Sequence, residues 1–364
     1  MDMIDASGIR KVFALAASLE DPINFSIGQP DFDVPEVLKQ RAVKAIMDGC
    51  NSYSVTTGDA ELCGRIDSLV KKEYGWDEAS LLVSSGVSGG LLLSFMAMVN
   101  PGDEVIIIEP YFVMYKHLVN LLGGKCVFVD TYPDFRLDVD KVAAAVTDKT
   151  KLIMLNSPCN PTGVVYSKDE IEGVTKVAAK HGIVLISDEI YDKFSYDGAA
   201  LSPASYYEKT LVLGGFSKAY AMTGWRLGYA AAHKSLNSVI EAMAKLQQYT
   251  FVCAPTPFQK AACAALDFDV SNYVADYRKK RDMLYDGLKD NFELVKPGGA
   301  FYAFVKAPGG NATEFVKKAI ENNVLVIPGN VFSERDTHFR ISYATTDEKI
   351  AEGIAILNDL ASQY

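Results

Sequence analysis

The sequence predicts an α/β fold: a large domain with a mostly parallel sheet between helices, joined to a smaller α+β domain. Three observations carry this. Short uninterrupted apolar runs at 105–108 (in the strand expected over 104–108), 126–129, 152–155, 183–186 and 211–213 alternate with stretches of helical period, the pattern of strands buried on both faces of a sheet. The length of 364 residues exceeds one ordinary core, so one large and one smaller domain follow. Beyond Tyr229 the pattern changes to longer helices and then to short strands at 301–304, 324–326 and 339–343 with helices at 313–322 and 347–362, a small α+β unit.

Bulk properties narrow the function. The chain is 49% hydrophobic and 23% charged, as soluble globular proteins are. Its 36 Lys+Arg against 46 Asp+Glu give a net charge of -10, which argues against a nucleic-acid surface. An anionic ligand must therefore be held by a few placed cations and backbone N–H groups against the global field. The six cysteines show no Cys-x-x-Cys spacing and only four histidines are present. Neither a metal site nor a disulfide framework is expected, and reduced thiols suit a cytoplasmic protein. Residues 1–20 have no uninterrupted apolar stretch, so neither a signal peptide nor a membrane span is expected.

Taken in order, 6–19 has a helical period, and 23–32 reads as a short strand stopped by Gly28 and Pro30. Residues 35–48 read as a helix with Pro35 near its first turn. A polar loop, Tyr53 to Gly58, precedes a helix over 60–73. Strand 81–84 runs into a Ser/Gly loop, Ser84 to Gly90, and then an apolar helix over 91–99. Such a loop at a helix N-terminus suits a phosphate, although it is neither a Walker loop nor the dinucleotide fingerprint. Further helices are expected over 115–122, 139–146, 168–181, 236–249 and 256–266, and a charged one over 272–292 bridges to the second domain.

The carboxyl ends of the strands carry Phe112, Asn160, Asp188 with Tyr191, and Lys218, and ligands of open α/β sheets bind at carboxyl ends. Lys218 leaves a buried strand, so its amine should lose its proton more easily than a surface lysine and form an imine with a carbonyl. A flat phosphorylated pyridine aldehyde would use each group. Lys218 takes the carbonyl, Asp188 faces the ring nitrogen, and Asn160 and Tyr191 meet the ring oxygen. Gly86, Val87 and Ser88 with Arg226 take the phosphate, and Phe112 offers a ring face.

The stretch Ser217-Lys-Ala-Tyr-Ala-Met-Thr-Gly-Trp-Arg-Leu-Gly-Tyr229 resembles the signature of the class I/II pyridoxal-phosphate-dependent aminotransferases of PLP fold type I, similar to aspartate and aromatic aminotransferases. Asn160-Pro-Thr-Gly163, Asp188-Glu-Ile-Tyr191, Gly28-Gln-Pro-Asp-Phe32 and Phe339-Arg-Ile-Ser-Tyr-Ala-Thr345 match the family's other motifs in the same order. The resemblance implies pyridoxal 5′-phosphate as cofactor, an imine at Lys218, and Ser217 beside it among the cofactor contacts. It implies Arg340 as the fork for the substrate α-carboxylate, helped by Asn160 and Gly28. It implies a homodimer in which Tyr53 reaches the neighbouring subunit's phosphate, and cis geometry at Ser157-Pro158 and Asn160-Pro161. The activity implied is transfer of an amino group from an L-α-amino acid, of aspartate or aromatic/apolar type, to a 2-oxo acid; a carbon–sulfur β-lyase or another pyridoxal-phosphate enzyme of fold type I is the alternative. Three positions depart from the pattern: Gly215 where relatives often have Ser, Gly89-Gly90 after the phosphate loop, and Cys63 where Arg is common. The expected division is an N-terminal arm at 1–22, a large domain at 45–270, and a small domain from 23–44 and 271–364. Phe13, Gln29, Tyr53 and positions near Phe251 are expected around the substrate side chain, and the absence of a second dedicated arginine favours an aromatic or apolar one.

Overall fold

The computed structural model of the chain describes residues 19–364; most of the helix expected over 6–19, and Phe13 with it, lie outside the described residues. The elements run β1 (Ile23–Asn24), α1 (Glu36–Met47), α2 (Ala60–Tyr74), β2 (Ala79–Ser84), α3 (Gly86–Met98), β3 (Glu104–Glu109), α4 (Met114–Leu121), β4 (Lys125–Asp130), α5 (Val139–Ala144) and β5 (Thr150–Asn156). Next come α6 (Lys168–His181), β6 (Val184–Asp188), β7 (Thr210–Gly215), β8 (Gly228–His233), α7 (Asn237–Thr250), α8 (Thr256–Ala265) and α9 (Ser271–Leu288). The chain closes with β9 (Tyr302–Lys306), α10 (Ala312–Glu321), β10 (Val324–Leu325), β11 (Ile327–Pro328), β12 (His338–Ser342) and α11 (Asp347–Ala361).

The main sheet has the order β2-β8-β7-β6-β5-β3-β4. Strands β3 to β7 pair in parallel, whereas β8 is antiparallel to both β7 and β2. The apolar runs are continuous because alternate residues feed different cores. Val105, Ile107, Leu152 and Met154 pack with Leu91, Phe95 and Tyr115. Ile106, Ile108, Ile153 and Leu155 pack with Val142, Ile171 and Val174. Strand β8 was not foreseen, because Gly-Tyr-Ala-Ala-Ala-His has little strand preference. Its alanines 230 to 232 are fully buried between two neighbours, where only small side chains fit. The helix start was also misplaced: α3 begins at Gly86 rather than 91, so the Ser/Gly loop forms its first turn.

The helix termini follow local chemistry. Asp59 accepts from the N–H groups of Glu61 and Leu62 at the start of α2, and Ser167 with Glu170 forms a reciprocal cap on α6. Gly75 and Gly182 close those helices in the left-handed region.

A second sheet, β11-β12-β9, is antiparallel, and β1 pairs in parallel with β10. The stretch 23–44, expected with the small domain, divides. Its start joins the C-terminal elements: the Ser342 N–H donates to the Phe25 carbonyl at 2.8 Å. Helix α1 instead packs on α8 and shares a core with Leu62, Ile66 and Val212 of the main sheet's side. Peptide bonds Ser157-Pro158 and Asn160-Pro161 are cis, as are Glu109-Pro110 and Tyr132-Pro133.

Gly163 ties the C-terminal elements to the loop after β5. Its carbonyl accepts from the N–H groups of Gly298 and Gly299 at 2.8 and 2.9 Å. With φ at +71°, a Cβ there would lie 2.4 Å from the Tyr302 carbonyl oxygen. Gly163→Ala combines left-handed strain with a backbone clash, so it should lower stability by about 2–4 kcal/mol. A urea titration that leaves the midpoint unchanged would contradict this.

Candidate active site

The carboxyl ends of β3, β5, β6 and β7 open on one cavity of about 280 Å³. Gly28, Val87, Ser88, Phe112, Asn160, Asp188, Tyr191, Ser217, Lys218, Arg226 and Arg340 all line it, as do Tyr115, Asn156 and Tyr302. A parallel sheet starts its following helices at one edge, so residues far apart in sequence converge there.

Asp188 ends β6 and is 3% exposed. Its carboxylate accepts from the Tyr115 hydroxyl at 2.7 Å and from the Ile190 N–H at 3.3 Å. Burial pushes its carboxyl up to about 6, against the pull of those donors and of Lys218. The next residue points the other way. Glu189 accepts from Ser187, Ser202 and Tyr74 in the core, and burial pushes it up to about 7. Asn156 fixes both sides of the crevice: it donates to the Asp188 carbonyl at 2.9 Å and accepts from the Asn160 N–H at 2.9 Å.

Lys218 sits on the turn after β7, and its ammonium donates to the Gly28 carbonyl. Burial, then Arg340 and Arg226, push the amine down from 10.5 to about 8, while Asp188 opposes. Arg340, on β12, is 1% exposed. It donates to the Asn160 side-chain carbonyl at 2.9 Å and to the Ser26 carbonyl at 2.8 Å. Its guanidinium stacks between the Tyr302 and Phe332 rings, 4.5 and 4.8 Å from their centroids. Its Nε has no partner among the described residues.

The first turn of α3 lacks a side-chain cap and an acidic residue. The N–H groups of Gly86, Val87 and Ser88 precede the first intrahelical bond, from Gly89 to the Ser85 carbonyl, and so are free for an anion. Arg226 lies over this turn, donating to the Thr223 and Ser85 carbonyls. The approach needs glycine: a Cβ at Gly86, where φ is +67°, would lie 2.6 Å from Arg226 Nη2, and one at Gly228 would lie 2.7 Å from the Gly86 carbonyl carbon. Phe112 closes the cavity edge-on to Tyr115, with ring centroids 5.6 Å apart.

Tyr53 is not brought to this cavity. It is 80% exposed and lines a separate depression with Cys50, Ser52 and Lys260. Gln29 is exposed, and Phe251 lies beside Gly89. The sequence reading missed Tyr115, Asn156 and Tyr302. Tyr115 had a signal, one helical turn after Phe112; the other two had none beyond their places on strands. Of the departures, Gly215 leaves room for Ile190 and Val87, which a Cβ would approach to 3.0 and 3.1 Å. Cys63 donates weakly to the Thr57 carbonyl at 3.6 Å and does not line the cavity.

This geometry agrees with known relatives. A sequence profile of the family described as Aminotransferase class I and II matches residues 20–357. A probable aspartate aminotransferase of Methanocaldococcus jannaschii is 41% identical, covering 98% of this chain and 97% of its own. An aromatic-amino-acid aminotransferase of Thermococcus litoralis is 37% identical, covering 97% and 95%. The solved structure of Thermus thermophilus aspartate aminotransferase with maleate superposes with a TM-score of 0.93 at 34% identity, covering 99% and 98%. The chain belongs to the class I and II aminotransferases. It is an enzyme that moves an amino group between an amino acid and a 2-oxo acid. No helix among the described residues is long and apolar enough to cross a membrane.

The depressed lysine gives a direct test in the unloaded protein. The rate at which acetic anhydride modifies Lys218, followed by peptide mapping, should rise with a midpoint near pH 8, the value to which its surroundings push it. Arg340→Met removes a repelling cation and should move that midpoint upward. A midpoint at the ordinary lysine value of 10.5 in the wild type would contradict the electrostatics described.

Proposed function

We propose that the cavity holds pyridoxal 5′-phosphate and that the amino acid substrate lies between it and Arg340. The observation that carries this reading is Arg340 itself: a buried guanidinium whose Nε has no partner and which has no carboxylate hydrogen-bonded to it among the described residues. A buried charge without a counter-ion is costly, and a substrate α-carboxylate would supply one. The donor set also fits the rest of the group. The free N–H groups of Gly86, Val87 and Ser88, with Ser217 and Arg226, would hold the phosphate. Asp188 would face the ring nitrogen, Asn160 and Tyr191 the ring oxygen, and Phe112 one ring face.

When bound, the cofactor supplies an electron sink that lets the substrate α-hydrogen leave as a proton. Lys218 would tie the cofactor covalently and, once the substrate amine had displaced it, would carry that proton on Nζ; an amine pushed down to about 8 has a useful neutral fraction near neutral pH. Asp188, raised by burial, is stabilised as an anion once a protonated ring nitrogen stands beside it. Arg340 holds the α-carboxylate, helped by Asn160 and the backbone at Gly28, and so fixes which bond at the α-carbon faces Lys218.

The active unit is proposed to be a homodimer, because Tyr53 stands exposed away from its own chain's cavity, where it is free to reach a second copy. A division into a large unit centred on the main sheet and a small one built on β9, β11 and β12 is part of the same reading. The six free thiols, with Cys63, Cys126, Cys159 and Cys263 pushed up to about 11 by burial, suit the reducing cytoplasm. The cations lining the cavity are Lys218, Arg226 and Arg340, and each has a task. Among the described residues no fourth remains for a side-chain carboxylate, which favours aromatic or apolar donors over aspartate.

Protein loaded with pyridoxal 5′-phosphate should show an absorbance band that borohydride bleaches and that Lys218→Ala lacks. A wild type without the band would refute the proposal. Arg340→Ala should raise KM steeply for every donor, since losing a carboxylate fork costs roughly 2–5 kcal/mol; a change confined to one donor would show that Arg340 reads the side chain instead. In rapid mixing without an acceptor, phenylalanine or tyrosine should discharge the band faster than aspartate. The opposite order would place a further cation at the side chain, from a partner subunit.

A further inference from the structure

We infer that Tyr302 is a positioning residue that orders Tyr191 with its hydroxyl and Arg340 with its ring. The inference rests on the proposed function above and adds a residue to which no role has been given. Tyr302 is 1% exposed and lines the cavity. Its hydroxyl lies 2.8 Å from that of Tyr191, and the two rings meet edge to face with centroids 5.6 Å apart. The Arg340 guanidinium lies 4.5 Å from its ring centroid.

Strand register explains why one side chain meets both. Arg340 on β12 pairs with Phe304 on β9. Tyr302 is two residues from Phe304 and therefore on the same sheet face as Arg340, a diagonal neighbour within reach of a long side chain. Gly28 makes room for the hydroxyl, since a Cβ there would lie 2.7 Å from Tyr302 Oη. A side chain at position 28 would therefore push that hydroxyl away, close to the carbonyl that Lys218 reaches.

The cation also sets the direction of the hydroxyl pair. A guanidinium against the ring favours the phenolate form of Tyr302 and offsets part of the effect of its burial. Tyr302 thereby becomes the better donor of the two. Either hydroxyl of the pair could donate; the cation against the Tyr302 ring selects Tyr302 as donor to Tyr191 Oη and leaves the Tyr191 proton for the cavity. A hydroxyl that accepts one hydrogen bond donates a stronger one, so Tyr302 sharpens the donor that Tyr191 offers to the ring oxygen.

The test separates hydroxyl from ring. In loaded enzyme, the pH midpoint of the bound cofactor's absorbance reports how firmly the ring oxygen holds its shared proton. Losing a donor to that oxygen raises the midpoint. Tyr302→Phe should raise it by roughly half to one pH unit, the size of one neutral hydrogen bond, with donor KM within about twofold of wild type because the ring remains. Tyr302→Leu should show the same shift and also raise KM roughly three- to tenfold, as a lost cation–π platform would. Tyr191→Phe is the reference and should shift at least as far as Tyr302→Phe. The inference is overturned if Tyr302→Phe titrates like wild type while Tyr191→Phe shifts, or if Tyr302→Leu leaves KM unchanged. Should Tyr302→Leu fail to fold, Tyr302→Phe alone decides the hydroxyl half. Failure of the cofactor reading is distinct: the wild type would then have no band to titrate.

Discussion

Among the described residues, three cations, Lys218, Arg226 and Arg340, face a cavity whose lining holds one carboxylate, Asp188. The whole chain carries a net charge of -10, so this excess is local and built against the global balance. Burial first, and then the like charges of Arg340 and Arg226, drive the Lys218 amine down to about 8. The imbalance is relieved by anions of the right shape: one at the uncapped helix turn beside Arg226, another at the open edge of Arg340. Transamination needs a phosphate handle on the cofactor and a carboxylate on the substrate. The lysine is thus activated by the same charges that would receive its partners.

The fold supplies this arrangement through strand geometry. Parallel strands put their carboxyl ends on one edge, and alternation along β6 sends Asp188 to the cavity and Glu189 to a core lined by hydroxyls. Asn156 then locks the ends of β5 and β6 together. Arg340 comes from the other sheet, and its position is held by Asn160 from the loop after β5, by Ser26 near the start, and by two aromatic rings. Gly163 and Gly28 mark where backbones must pass closely for these pieces to meet.

Much of this was legible in the sequence. Uninterrupted apolar runs announced buried strands, and Lys218, Asp188, Asn160 and Arg226 followed from residue type at strand ends or turns. What was not legible depended on partners brought from a distance. Strand β8 hid because its alanines have little strand preference, and only burial between β7 and β2 makes them a strand. Tyr302 hid because a tyrosine in a short apolar strand looks like core until register shows Arg340 on the same face. Tyr53, expected at the site only by family resemblance, stands outside its own chain's cavity; the second copy proposed to receive it is not part of one chain's packing.

The most direct measurement of the central claim is a diffraction map of the protein crystallised with pyridoxal 5′-phosphate and a carboxylate inhibitor. The account predicts continuous density from Lys218 Nζ into a ring lying over Asp188, a phosphate between Arg226 and the first turn of α3, and a carboxylate on the open edge of Arg340. A map in which the Lys218 amine remains unattached, or in which the anions settle away from both guanidinium groups, would contradict it.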